Sequence, residues 1–333
     1  MHGAAHRIAK GARVMGERGR TCPLAYRHGP EAVAAANILD AEVAWVVGGL
    51  YGNVEALTAL LRRVERDREA GHRVRIIFNG DFHWFDRKHE DFLAIQHAVL
   101  RHDALAGNVE AELAAPHPEA GCGCAYPAFV DDAVVERSNA IMATLQETVA
   151  SAPEAKRELA ALPQTLRLRI AGRLVGVVHG DPESLAGWGL AVETLAANGG
   201  ATNGARIADW AARAGVEAFA CAHTCLPWAG VLGGIAAINN GSAGMPNFRG
   251  HLAGLASRIA PATAPAPDAL YHAAAGPLRL EAIPLHYASA AWLERFTSSW
   301  PPGSPAHGSY FERITRGPAH DLARALHPGA SAG

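Results

Sequence analysis

The sequence lacks any apolar run long enough to cross a bilayer as a helix, which takes about 20 residues. Its longest apolar stretches, such as Val43 to Leu50, have the length of a strand. No membrane partner is therefore expected. Net charge is nearly absent, formally −2 from 30 basic and 32 acidic residues, so no global field draws the chain to nucleic acid, and no nucleic-acid surface is legible. Lysine is scarce, with 3 residues against 27 arginines; together with the abundant Ala and Gly this points by association to a GC-rich bacterial genome. There is no Walker A sequence, and Gly187-Trp188-Gly189 is too short for a dinucleotide fingerprint. No secretory leader pattern opens the chain, and an odd count of 5 cysteines leaves at least one thiol unpaired. Both observations fit a reducing cytoplasm. The basic first twenty residues read as a frayed terminus.

What is present is an ordinary core-forming composition, 49% hydrophobic over 333 residues, which excludes a disordered chain. The 17 histidines and 5 cysteines stand out because both side chains ligate metals. Along the chain, residues 1–40 read as an extension wrapped on the core and 41–290 as the main domain. Residues 291–333 read as a C-terminal helix with a loose tail, beginning at the Pro-rich turn from Trp300 to Pro305. Within the main domain, strand-like Val43 to Gly48, Val74 to Phe78 and Asp103 to Ala106 alternate with helical Val54 to Glu69 and Asp91 to Arg101. That alternation predicts an α/β fold with a layered sheet. Residues 115–163 change to a Pro, Gly and Cys loop followed by two helical stretches, an inserted helical cap. Leu166, Leu168 and Ile170 alternate along a hairpin strand, which leaves Arg167 and Arg169 solvated. Beyond it, strands are read at Glu217 to Cys221, Gly230 to Leu232 and Ile235 to Asn239, and Pro261 to Pro267 as an Ala/Pro linker.

The strands end in polar clusters flanked by glycine: Gly48-Gly49-Leu50-Tyr51-Gly52-Asn53, Asn79-Gly80-Asp81, Gly107-Asn108-Val109-Glu110, His179-Gly180-Asp181 and Ala222-His223-Thr224-Cys225. Ligands collect at the carboxyl ends of strands in open α/β sheets. Carboxylate, amide oxygen and imidazole from separate strand ends suit a borderline metal ion.

In order and spacing these clusters resemble the five motifs of the calcineurin-like metallophosphoesterase superfamily. Asn239-Asn240-Gly241-Ser242-Ala243-Gly244-Met245-Pro246 resembles its N-P-G-S-x-G-x-P segment, and the likeness spans roughly residues 43–287. The resemblance implies a two-layered β-sandwich flanked by helices, with a dinuclear centre that hydrolyses phosphoesters. It also implies that Asp81, Asn108, His179 and His223 hold the second metal. At the first metal the family's D-x-H falls on Gly49 and Tyr51, and the last His of G-H-T-H falls on Cys225. The family's leaving-group His falls on Val109, while Glu110 remains to support the site from behind, with Asn53 and Asp181 counted in the same role.

A mononuclear centre would have to take some charge stabilisation from side chains. His83 reads as a metal ligand, a cation for phosphate or a general acid, or else as a loop histidine packed on Trp84. Tyr51 reads as an oxyanion donor or a phenolate ligand, or as filler of the vacated volume. Cys225 reads as a thiolate ligand favouring zinc or iron over manganese, or as a small buried hydrophobe. Cys122 and Cys124, with Cys22 from the extension, form a candidate additional thiolate site that matches no strong zinc template; Cys221 reads as core. The expectation is therefore a hydrolase of a small phosphorylated molecule using Mn, Fe or Zn. The alternatives are other metal chemistry around Tyr51, His83 and Cys225, or a metal-binding pseudoenzyme.

Overall fold

A computed structural model describes residues 18–333; the basic stretch over residues 1–17, read as frayed, lies outside the described residues. A turn of 3-10 helix at Leu24–Tyr26 leads into α1 (Pro30–Ala35) and β1 (Ile38–Asp40). There follow β2 (Val43–Val47), α2 (Val54–Glu69), β3 (Val74–Asn79), α3 (His89–Val99), β4 (Asp103–Leu105) and α4 (Asn108–Ala114). The insertion supplies α5 (Asp132–Ala150) and α6 (Pro153–Ala160). Next come β5 (Thr165–Ile170), β6 (Arg173–Val178), α7 (Val192–Asn198), α8 (Gly200–Ala214), β7 (Ala218–Cys221), β8 (Trp228–Leu232) and β9 (Ile235–Asn239). The chain closes with β10 (Gly254–Pro261), β11 (Tyr271–Ala275), β12 (Leu278–Leu285), α9 (Ser289–Ser299), α10 (Pro305–Arg316), α11 (Leu322–Ala325) and β13 (Ala330–Ala332).

The strands form two sheets, ordered β1-β5-β6-β7-β9-β8 and β13-β11-β12-β10-β2-β3-β4. Apolar alternation explains why they face each other. Ala44, Val46 and Ile77 from one sheet meet Leu166, Leu168, Val175 and Ala220 from the other in a shared core. Val43, Trp45 and Val47, the alternate residues of β2, turn outward under the helices, so every residue of that strand is buried. Helix α2 starts where the Asn53 side chain accepts the Ala56 N–H at 2.8 Å. It buries Leu57, Leu60 and Val64, whereas Leu61 stays 39% exposed. Across the sandwich, Ile207 and Trp210 of α8 pack with Val33 and Phe219 on the outer face of the sheet that contains β7. This is the layered sandwich flanked by helices that the family resemblance implies.

Two readings need correction. The tail after the Pro-rich turn is not loose: Pro305 opens α10 at a position where a missing N–H costs nothing, and Ala330–Ala332 pairs with β11. The extension does more than wrap the core, since Ile38–Asp40 adds a parallel edge strand to β5. No helix among the described residues is long and apolar enough to cross a membrane.

Candidate metal centre and its cleft

Strands β2, β3 and β4 run parallel in one sheet, and β6, β7 and β9 run parallel in the other. Their carboxyl-end loops therefore meet along one edge of the sandwich, held together by the segment after β9. There Asn240 accepts the Gly48 N–H and donates to the Gly48 and Leu255 carbonyls, and Ser242 Oγ donates to the Gly49 carbonyl at 3.0 Å.

At that edge the side chains of Asp81, His179 and His223 bring ligand atoms within 4.8 Å of one another. Among the described residues no other three or more His, Cys, Asp or Glu form such a group. His179 donates Nδ1–H to the Asn79 carbonyl at 2.7 Å, so in the neutral ring Nε2 carries the lone pair. That Nε2 lies 3.3 Å from Asp81 Oδ1 and 3.2 Å from Asn108 Oδ1. Asn108 presents its oxygen because its Nδ2 donates to the Cys122 carbonyl at 3.0 Å, and His223 Nδ1 lies 3.0 Å from the same oxygen. Lone pairs gathered in a dry centre repel one another unless a cation lies among them. A proton on His179 answers this in part, and a metal ion answers it fully. The donor set of carboxylate, amide oxygen and two imidazoles fits a borderline divalent ion.

The electrostatics follow from the same geometry. Burial pushes the Asp81 carboxyl up, but the His179 and His223 rings outweigh it and hold Asp81 below its usual range. Burial works against a charged His179, and Asp81 outweighs that as well, so His179 is raised. Burial, with His179 beside it, pushes His223 down to about 3 and keeps it neutral, as a ligand must be.

Close backbone approach is built in. A Cβ on Gly80 would lie 2.5 Å from Gly107 Cα and from His179 Nδ1, and one on Gly107 would lie 2.4 Å from Asp81 Oδ1. Tyr51, Asp81, His223 and Cys225 are all left-handed, with φ between 55° and 61°, at a cost of roughly 1–2 kcal/mol each. Only Ala125 and Ala171 share that conformation among the other described non-glycine residues, so strain is concentrated at the cleft. Glu110, fully buried, accepts the N–H groups of Asp81 (2.7 Å), Phe82 (3.0 Å) and Gly107 (2.9 Å), tying the two loops that carry Asp81 and Asn108. Asn53 donates to the Gly244 carbonyl at 2.8 Å while capping α2. Asp181 lies outside the converging group and accepts N–H groups from Glu183, Ser184 and Gly189, shaping the loop that carries Trp188.

Among the described residues no second ligand set gathers beside Asp81. A Cβ on Gly49 would lie 2.9 Å from Tyr51 Cζ, so the tyrosine ring fills the room a side chain there would need. Tyr51 Oη and Cys225 Sγ lie 2.8 Å apart, and the thiol also faces the His223 carbonyl at 3.2 Å. Burial raises both, keeping phenol and thiol protonated. Cys225 therefore lines the cleft as a neutral thiol, outside the converging ligand group.

His83 does not enter the cleft. Its ring is fully buried, Nδ1 faces Asp86 Oδ2 at 2.7 Å, Nε2 faces Gln96 Oε1 at 2.8 Å, and the ring stacks on Phe92 at 3.9 Å. With both nitrogens engaged and an aromatic face covered, it has no lone pair for a metal and no path to a substrate. The trio Cys22, Cys122 and Cys124 is not assembled either. The Cys22 thiol faces Ser184 Oγ at 3.4 Å, whereas Cys122 lies buried beside Asn108 and Cys124 lines the cleft. Cys221 is buried in the core.

The cleft over the centre holds about 160 Å³ and shows residues that sequence reasoning missed: Trp84, Tyr126, Trp188, Thr224, Tyr310 and Arg313. Trp84 and Thr224 sit next to motif residues and were within reach of the sequence. Tyr310 and Arg313 come from α10, far along the chain, and no local pattern marks them.

No protein-family model matches the chain, and no curated protein matches it in sequence. Solved structures do match in fold. A hypothetical protein from Pyrococcus horikoshii OT3 superposes with a TM-score of 0.54 at 17% identity, over 85% of this chain and 100% of its own. A metallophosphoesterase from Sphaerobacter thermophilus superposes with a TM-score of 0.50 at 17% identity, over 83% of this chain and 100% of its own.

Proposed function

We propose, from the calcineurin-like metallophosphoesterase fold of this chain, that it is a metal-dependent hydrolase that cleaves a small phosphoester at one metal centre. The observation that carries this reading is the convergence of Asp81, Asn108, His179 and His223 from four separate loops on one buried point. A divalent Mn, Fe or Zn ion held there would supply Lewis-acid polarisation of a phosphoryl oxygen and a lowered pKa for attacking water.

The chain's own residues do the rest. The Asn79 carbonyl keeps His179 Nε2 aimed at the centre, and Glu110 keeps the Asp81 loop in register with Asn108. Tyr51, neutral and left-handed, stands at the cleft wall with a hydroxyl able to donate to a phosphoryl oxygen. Val109, nearly fully buried beside Asp81, offers no proton to a leaving group, which favours substrates whose leaving group departs as a stable anion. The aromatic walls from Trp84, Tyr126, Trp188 and Tyr310 favour a planar or apolar group beyond the phosphate.

The test is elemental analysis of the purified chain with assays on a nitrophenyl phosphomonoester and a bis(nitrophenyl) phosphodiester. The expected outcome is one equivalent of transition metal, and hydrolysis that His179→Ala abolishes. A chain that takes up no metal, or that turns over neither ester when loaded, contradicts the proposal. Trp188→Ala is expected to raise KM for aryl esters with little change in metal content; an unchanged KM removes the tryptophan from the substrate surface.

A further inference from the structure

Helix α10 sends Arg313 into the wall of the metal cleft, beside Cys225. The guanidinium is fixed at two points: Nη2 donates to the Cys225 carbonyl at 2.7 Å and Nε donates to the Pro246 carbonyl at 3.2 Å. Both partners are neutral, both belong to loops at the sandwich edge, and no carboxylate pairs with Arg313 among the described residues. Its neighbours on α10 differ, since Arg316 pairs with Glu312. Nη1 has no partner among the described residues. An arginine cannot shed its charge, and its planar fork matches the oxygens of a phosphate. A structural staple accounts for the two carbonyl bonds. It does not account for a cation held without an anion in the wall of a cleft that also contains Asp81 and Asn108.

We propose that Arg313 binds a non-bridging oxygen of the substrate's phosphoryl group, placing a fixed positive charge on the side of the cleft where Tyr51 and Cys225 stand. This rests on the reading of the cleft as a phosphoester site. It also gives that reading its second source of charge, because a preorganised donor costs no reorganisation as negative charge develops on phosphoryl oxygens. Tyr51 and Cys225 then serve as the neutral floor beneath the anion, their hydroxyl and thiol already in contact with each other.

The experiment is calorimetric titration of inorganic phosphate into the Mn²⁺-loaded chain, repeated for Arg313→Gln and Arg313→Lys, with a parallel Mn²⁺ titration of each metal-free protein. Arg313→Gln should weaken phosphate about tenfold or more, the size expected for a charge-assisted hydrogen bond. Arg313→Lys, which keeps the charge without the fork, should fall between the native chain and Arg313→Gln, and Mn²⁺ affinity should be the same in all three. Phosphate affinity unchanged in Arg313→Gln overturns the proposal, and so does a loss of Mn²⁺ affinity that accounts for the whole effect. If the native chain binds none of Mn²⁺, Fe²⁺ and Zn²⁺, the hydrolase reading fails, while phosphate titration of the metal-free chain still decides on Arg313 by the same comparison. Should Arg313→Gln not fold, phosphate protection of Arg313 from phenylglyoxal in the native chain, read by peptide mass spectrometry, decides instead: protection upholds the assignment and its absence overturns it.

Discussion

Glu110 shows how much of the centre depends on a residue that never reaches it. One carboxylate accepts three backbone N–H groups from two loops. In Glu110→Gln an amide N–H₂ would face N–H donors, which should destabilise the chain by about 2 kcal/mol and weaken metal binding roughly 10- to 100-fold. Urea unfolding and a Mn²⁺ titration read the two effects separately; metal affinity equal to the native chain's would show that the loops hold without the carboxylate. The altered side of the centre yields to a different experiment. Gly49→Asp alone should gain no metal, because the Tyr51 ring occupies the space. The triple variant Gly49→Asp, Tyr51→His, Cys225→His should take up a second equivalent by elemental analysis and hydrolyse phosphodiesters faster. A second ion without added activity would argue that the native reaction is another one. At this scale Asp81, Asn108, His179 and His223 were legible through the order and spacing of the clusters that carry them, which resemble a known set of motifs; single turn residues of these types recur in many chains. His83 misled because its two-residue spacing from Asp81 suggests a shared face, whereas the left-handed turn at Asp81 re-aims the chain and buries the ring under Phe92. Arg313 was illegible, since an arginine on an amphipathic helix looks like any solvated one until the fold places it.

Helix α10 supplies Tyr310 and Arg313 to the cleft's outer wall, and α9 precedes it in the chain. Trp300 between them is buried, donates Nε1–H to the Phe85 carbonyl at 3.0 Å and lies under Arg87 at 5.5 Å. Trp300→Ala should cost about 3–5 kcal/mol in denaturant unfolding; a loss below 1 kcal/mol would mean that the two helices dock independently of it. Most strands and helices of the first 240 residues follow from apolar period and turn residues, and α2 is read with its observed ends. Strands β10 and β12 were missed for a physical reason. Each carries a buried charge, Arg258 and Glu281, bonded at 2.6 Å, with Asp67 completing the network at 2.8 Å. A charge inside a strand imitates an exposed position, and Pro261 and Pro284 add the look of a linker, so the alternation fails although the residues are core. The tail misled similarly: prolines that suggest a loose end stand before and at the start of a helix.

Across the whole molecule, pH should act through its many histidines. Burial pushes His102, His272, His320 and His327 below their ordinary value. In the unfolded chain they take up protons near pH 6.5, whereas the folded chain resists until lower pH. The unfolded state therefore binds more protons in that window, so stability is fully present above about pH 6.5 and falls as pH drops toward the folded values. His223, pushed down to about 3, acts in the same sense as these four, and His179, raised by Asp81, acts in the opposite one, so the shifted histidines stand five against one. The urea midpoint of the metal-free chain should be lower at pH 5.5 than at pH 7.5; an equal or higher midpoint at pH 5.5 would contradict this balance.

The cleft is built from residues between Tyr51 and Arg313. During synthesis a chain emerges from its N-terminus at roughly 5–20 residues per second, so Asp81, Asn108, His179 and His223 are all available before α10 exists. The wall formed by Tyr310 and Arg313 arrives last. The order of translation thus places all four candidate ligands in the chain before the residues that enclose them on that side.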